Sequence, residues 1–246
     1  MFIGIGMPLP DLSNLPGNSR PGKPGGGGGG PTVGKITNEF SFKFDAASDS
    51  RFETNLPAMG NSNDMCISYW IKTNATNPWV PMYSVYASGS AAHNNSFGRC
   101  YFRSSNLIIQ FGGAYGTTVL NDNQWHHIVE YFTFDAAGGG TQGAYVDGVE
   151  EVFSLSTGWP NAVTTPSLPS WFKLPTYQFG APIIGYYNGS YPWEGHIDEV
   201  AIWYDRKISL EEAKAIYDAT NDNPGKTANL STLSTGAPTA WYRMGD

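Results

Sequence analysis

The chain has 246 residues, 30 of them glycine and 17 proline, with 14% aromatic and only 14% charged side chains, against about 25% charged in an ordinary globular protein. That mix suits many short strands joined by turns and argues against a helical bundle. The formal net charge is −7 with no basic cluster, which sets aside a nucleic-acid binder, and no run of apolar residues is long enough for a transmembrane helix.

Residues 1–34 differ from the rest and hold 11 of the 30 glycines and 6 of the 17 prolines, including the unbroken run Gly25 to Gly30. Such a segment cannot bury enough apolar area to offset its ordering entropy. Its first residues nevertheless carry Phe2, Ile3, Ile5, Leu9 and Leu12, so an apolar tip on a glycine tether is expected, a docking arm. Residues 35–246 are expected to form one domain. The N-terminus has no basic region, and Pro8, Pro10 and Pro16 interrupt its apolar stretch, so it does not read as a secretory signal. In a reducing compartment Cys66 and Cys100 are expected to stay thiols, a disulfide being the alternative.

From residue 35 onward the texture is β. The segment from Ile36 to Phe44 alternates, and Met65-Cys-Ile-Ser-Tyr-Trp-Ile71 is a mostly apolar run suited to a strand buried on both faces. Further strands are expected at 80–86, 99–103, 107–111, 126–134, 142–146, 151–153, 183–186 and 194–204. Asp147-Gly148 between two apolar runs predicts a two-residue hairpin. One helix is expected after Ile208, with Ser209 as N-cap and Glu212 completing a capping box. Leu210, Ala213, Ile216 and Tyr217 would form its buried face, and Asn223-Pro224-Gly225 would end it.

Four stretches carry a resemblance: Phe40-Ser-Phe-Lys-Phe-Asp45, Cys66-Ile-Ser-Tyr-Trp-Ile-Lys72, Asn123-Gln-Trp-His-His-Ile-Val129 with Ala144-Tyr-Val-Asp-Gly-Val149, and Gly195-His-Ile-Asp-Glu-Val-Ala-Ile-Trp203 followed by the helix. In this order they resemble the laminin G-like / concanavalin A-like lectin–glucanase superfamily, with Ala46 where glycine is usual. The resemblance implies an all-β, jelly-roll sandwich with one short C-terminal helix, here behind an extended N-terminal arm. It says little about function, because the fold hosts lectins, hydrolases, adhesins and structural modules. The proline- and glycine-rich N-terminus and the terminal Thr239-Ala-Trp-Tyr-Arg-Met-Gly-Asp246 are similar to segments of tailed-phage structural proteins, often of marine hosts.

Glucanases of this superfamily carry two glutamates and an aspartate at alternate positions of one strand, and no such pattern occurs here. Asp198 and Glu199 are adjacent and are expected on opposite faces, as are Glu150 and Glu151, so an enzyme is not expected. His126 and His127 are likewise adjacent. Trp125 is expected in the core, with one histidine bonded to a neighbouring loop. No cofactor is required. The resemblance implies a structural calcium at Asp45 and Asp198, with metal-free capping of backbone amides by Asp198 as the plainer alternative. Glycan stacking could use Tyr186, Tyr187, Tyr191 and Trp193, with Asn188 as a polar neighbour; core or subunit-contact roles suit the same aromatics.

These readings point first to a phage virion structural protein on the capsid or tail. It would assemble in the host cytoplasm as a homo-oligomer, with residues 1–30 docking onto other virion proteins and the outer domain binding host glycans weakly. A free lectin is the alternative, and a glycoside hydrolase is the least favoured.

Overall fold

The structure is a computed structural model that describes residues 7–8, 30–45, 52–53, 64–76, 83–84, 99–103, 106–111, 114–134, 140–155, 183–184, 193–204, 206–221 and 226–243. The strands are Met7–Pro8 (β1), Gly34–Thr37 (β2), Phe40–Phe44 (β3), Phe52–Glu53 (β4), Asp64–Lys72 (β5), Tyr83–Ser84 (β6), Arg99–Arg103 (β7), Asn106–Phe111 (β8) and Ala114–Tyr115 (β9). They continue with Trp125–Phe134 (β10), Gly140–Val146 (β11), Val149–Glu150 (β12), Ser154–Leu155 (β13), Ile183–Ile184 (β14) and Gly195–Tyr204 (β15). The helix Leu210–Asn221 (α1) follows, then Lys226–Asn229 (β16) and Ala240–Tyr242 (β17).

The main sheet runs β1-β3-β15-β5-β10-β11-β12, with β17 added on β15. The remaining strands form sheets ordered β13-β9-β8-β7, β4-β14-β6 and β16-β2. All pairings are antiparallel, which makes this an all-β, antiparallel sandwich with one α-helix among the described residues.

The central strand β5 is buried without interruption from Met65 to Ile71, because both faces of the sheet are covered. Met65, Ile67, Tyr69 and Ile71 face one way, Cys66, Ser68 and Trp70 the other. The Cys66 face joins Val129, Tyr131, Tyr145, Ala201 and Trp203 to Ala213, Ile216 and Ala219 of α1. Burial there pushes the Cys66 thiol up to about 12, so it is an unreactive core group.

The helix starts where the capping box places it. Glu212 N donates to Ser209 Oγ at 3.2 Å, and Ser209 N donates to Glu212 Oε2 at 2.8 Å. Two orphan amides at the helix start are thereby satisfied. Ser209→Ala should therefore lower stability by about 1 kcal/mol, read as a shift in the denaturation midpoint; an unchanged midpoint would mean that the cap is redundant.

Several expectations shift in detail. The alternating segment after Ile36 splits into β2 and β3, since β2 leaves the main sheet to pair with β16. The expected strand at 151–153 is replaced by β12 and β13, because Glu151 turns its carboxylate onto another loop. Trp125, expected in the core, is half-buried and packs edge-on against His196 with ring centroids 6.0 Å apart.

Candidate functional site

The Trp-His-His strand and the Asp-Gly turn form one polar lock. Asp147 and Gly148 take positive φ values of 52° and 72°, as a type I′ hairpin requires. The turn brings the Asp147 carboxylate back onto β10, where Oδ1 accepts from the His127 amide at 2.9 Å and Oδ2 lies 2.9 Å from His126 Nδ1. Asp147 N donates to His127 O at 2.8 Å. Asp122 Oδ1 holds the other nitrogen of His126 at 3.1 Å. Burial pulls the His126 pKa down, but Asp147 and then Asp122 outweigh it and hold the pKa above its ordinary value. The imidazolium is favoured because both ring N–H groups find carboxylates.

His127 faces the other side of the sheet and is 1% exposed. Its Nε2 lies 2.8 Å from Ser68 Oγ, and its ring stacks on Trp70 at 5.0 Å. Burial lowers its pKa to about 4, so it is neutral at neutral pH. The two histidines thus have separate partners and serve two different surfaces.

A second polar group sits where β15 is irregular. The register shifts between Asp198 and Ala201, and Glu199 adopts φ 52°, a left-handed conformation that costs a non-glycine residue about 1 kcal/mol. Both carboxylates are buried, at 3% exposure each. Asp198 accepts from Asn38 Nδ2 and from Glu199 N, each at 2.8 Å. Glu199 accepts from Trp241 Nε1 at 2.6 Å, with the Arg243 guanidinium 3.7 Å away. Burial raises Asp198 to about 7; burial, then the neighbouring Asp198 charge, raises Glu199 to about 8.

The other buried carboxylates are equally committed. Glu151 accepts from the Thr117 amide, from Thr118 N at 3.0 Å and from Thr118 Oγ1 at 2.6 Å, and so shapes residues 116–118. Glu130 accepts from the Tyr69 hydroxyl inside the sandwich. Glu212 caps the helix and pairs with Arg206. Among the described residues every buried carboxylate has a hydrogen-bond donor from the fold, and no group of three or more His, Cys, Asp or Glu is placed to hold a metal ion.

A family model for the concanavalin A-like lectin/glucanases superfamily matches residues 45–214, more than half of the chain. The chain belongs to this superfamily. Among solved structures it is similar to a protein from Bacteroides ovatus proposed to bind carbohydrate, at 14% identity and TM-score 0.51, over 87% of this chain and 53% of that one. The chain therefore spans about half the length of that protein. It is also similar to domain 4 of AbnA, a GH43 extracellular arabinanase from Geobacillus stearothermophilus in complex with arabinotriose, at 16% identity, TM-score 0.41 and 73% of each chain. A third is the heptameric SAP-like pentraxin from Limulus polyphemus, at 14% identity and TM-score 0.38, over 68% of this chain and 74% of that one. No curated protein matches significantly.

Within this superfamily domain the expected site residues fall in different places. Trp193 is 1% exposed, so it belongs to the core and offers no stacking face, a correction caused by packing that its strand-end position concealed. Tyr186, Tyr187, Asn188 and Tyr191 lie outside the described residues, as do Phe2, Ile3, Ile5, Leu9 and Leu12. Asp45 is exposed and is not brought to Asp198. Gly195 pairs with Phe44, so the register leaves the two aspartates about four residues apart along the strands, roughly 13 Å. Asp198 accepts from Asn38 Nδ2 and from its own neighbour's amide. Sequence reasoning missed Trp241 and Asn38, whose roles depend on contacts across 42 and 160 residues.

Proposed function

We propose that the protein is a non-catalytic glycan-binding sandwich displayed on the capsid or tail of a phage particle, where residues 1–30 anchor it to other virion proteins. What supports the non-catalytic part is that each buried carboxylate among the described residues accepts at least one hydrogen bond from the fold, Glu199 through Oε2 only, and that no strand of the sequence carries two glutamates and an aspartate at alternate positions. A glycosidase needs a facing acid pair, about 5–5.5 Å apart for retention or wider for inversion, with oxygens left for sugar and water. Superfamily membership supports the carbohydrate-binding part. The arm's composition, an apolar tip on a glycine tether, supports docking, and assembly in the host cytoplasm as a homo-oligomer fits it.

Mass spectrometry and immunogold labelling of purified particles test the setting. Label on capsid or tail is expected, and deletion of residues 1–30 should leave a folded domain that no longer joins particles. Absence from particles, with glycan binding retained, would leave a free lectin. For the binding surface, Tyr187→Ala should weaken glycan binding without altering the melting temperature; unaltered binding would remove that tyrosine from the site.

A further inference from the structure

We infer that a cross-strand row formed by Lys43, His196, Lys72 and Trp125 binds a carboxylate-bearing sugar. This rests on the glycan-binding reading above and gives it a site and a ligand class. The register builds the row from four strands: His196 of β15 stands opposite Lys43 of β3 and opposite Lys72 of β5, and Lys72 in turn stands opposite Trp125 of β10. Directly opposed residues of antiparallel strands share a face, with Cβ atoms about 4.5–5.5 Å apart. Four residues distant in sequence thus make one continuous strip across the sheet.

The strip lies on the face that α1 covers further along. Two residues inward on the same face, about 7 Å away, Trp70 is capped by Tyr217 of the helix at 5.8 Å. The row is beyond that cover. Lys43 is exposed, and Lys72, His196 and Trp125 are half-buried, so the site has both a base and an opening.

Three features suit an acidic sugar. The ammonium groups act on His196, whose pKa falls through burial first and then through the charges of Lys72 and Lys43; an anion over the row would relieve that mutual repulsion. His196 Nδ1 is held 3.0 Å from Ser41 Oγ, which fixes the ring and leaves Nε2 as the nitrogen for a ligand. Trp125 brings an indole against His196, with ring centroids 6.0 Å apart and planes at 69°. A carboxylate between the lysines, with the sugar ring against the indole, uses all three. Asp45 and Glu194, both exposed at the adjoining strand ends, bound the strip, so the acid would sit inboard over Lys72 and His196.

The test uses the full chain and oligosaccharides rich in glucuronic acid, with neutral glucose oligosaccharides of equal length as controls, measured by titration calorimetry at low and moderate salt. Binding of the acidic series is expected, weakened by salt because the row opens to solvent at Lys43. Lys43→Ala and Lys72→Ala should each reduce it roughly tenfold with unchanged melting temperature, and Trp125→Phe should reduce it less. Equal binding of acidic and neutral series, or retention by the double lysine variant, would overturn this inference while leaving the lectin reading intact. Failure of the wild type to bind any glycan on a broad array would overturn both.

Discussion

Asp147→Ala is expected to destabilise the domain by about 2–4 kcal/mol, a fall in Tm of roughly 5–15 °C for a chain of this size. Three losses add. The His127 amide loses the oxygen it donates to at 2.9 Å, and an unsatisfied buried amide costs about 1–3 kcal/mol. His126 loses the carboxylate partner of its Nδ1. Alanine must also hold the φ of 52° that aspartate tolerates better. Asp147→Asn keeps an acceptor for the His127 amide and a residue at ease with positive φ, so it should cost about half as much. Calorimetry on both variants checks this ordering, and an alanine variant as stable as the asparagine one would contradict it.

The second large effect is on pH. Asp198 and Glu199 have folded-state pKa values raised to about 7 and about 8, against ordinary values near 4 in the unfolded chain. The folded state therefore binds more protons than the unfolded state between about pH 4 and pH 8, and stability falls as pH rises through that window. His126, also raised, acts in the same direction: its contribution is complete below its unfolded pKa and lost as pH rises through the folded one. His127, lowered to about 4, opposes this below its ordinary pKa, since protonation of the unfolded state drains stability as pH falls from 6.5 toward 4. Above about pH 6.5 only the falling contributions remain. Stability should therefore drop between pH 6.5 and 8.5 by on the order of 2 kcal/mol.

Asp198→Asn with Glu199→Gln removes the titrating pair and retains much of the shape. The double variant should lose most of that slope and be more stable than the parent at pH 8.5. Equal melting temperatures for the parent at pH 6.5 and 8.5 would show that the buried pair does not titrate there.

The features legible in the sequence are those set by local chemistry. Asp147-Gly148 specifies its turn because only a few residues accept two consecutive positive φ values, and Ser209 with Glu212 specifies the helix start within a single turn. The mostly apolar run of β5 announces a strand buried on both faces. What stayed hidden depends on register between distant segments. Alternation along β15 breaks at Glu199, and the break is stabilised by Trp241, which arrives on a strand 42 residues later. Trp193 looked like an exposed aromatic because its burial comes from packing and not from its neighbours in sequence. The row from Lys43 to Trp125 could not be seen before the pairings of β3, β15, β5 and β10 were known.

The central claim is that the domain binds glycan without cleaving it. The most direct measurement immobilises the full chain, loads it with the glycans that an array identifies, and analyses both the retained and the released sugar by mass spectrometry after prolonged incubation. Retention of intact glycan at the loaded chain length is the expected result. Shortened products with new reducing ends would contradict the account.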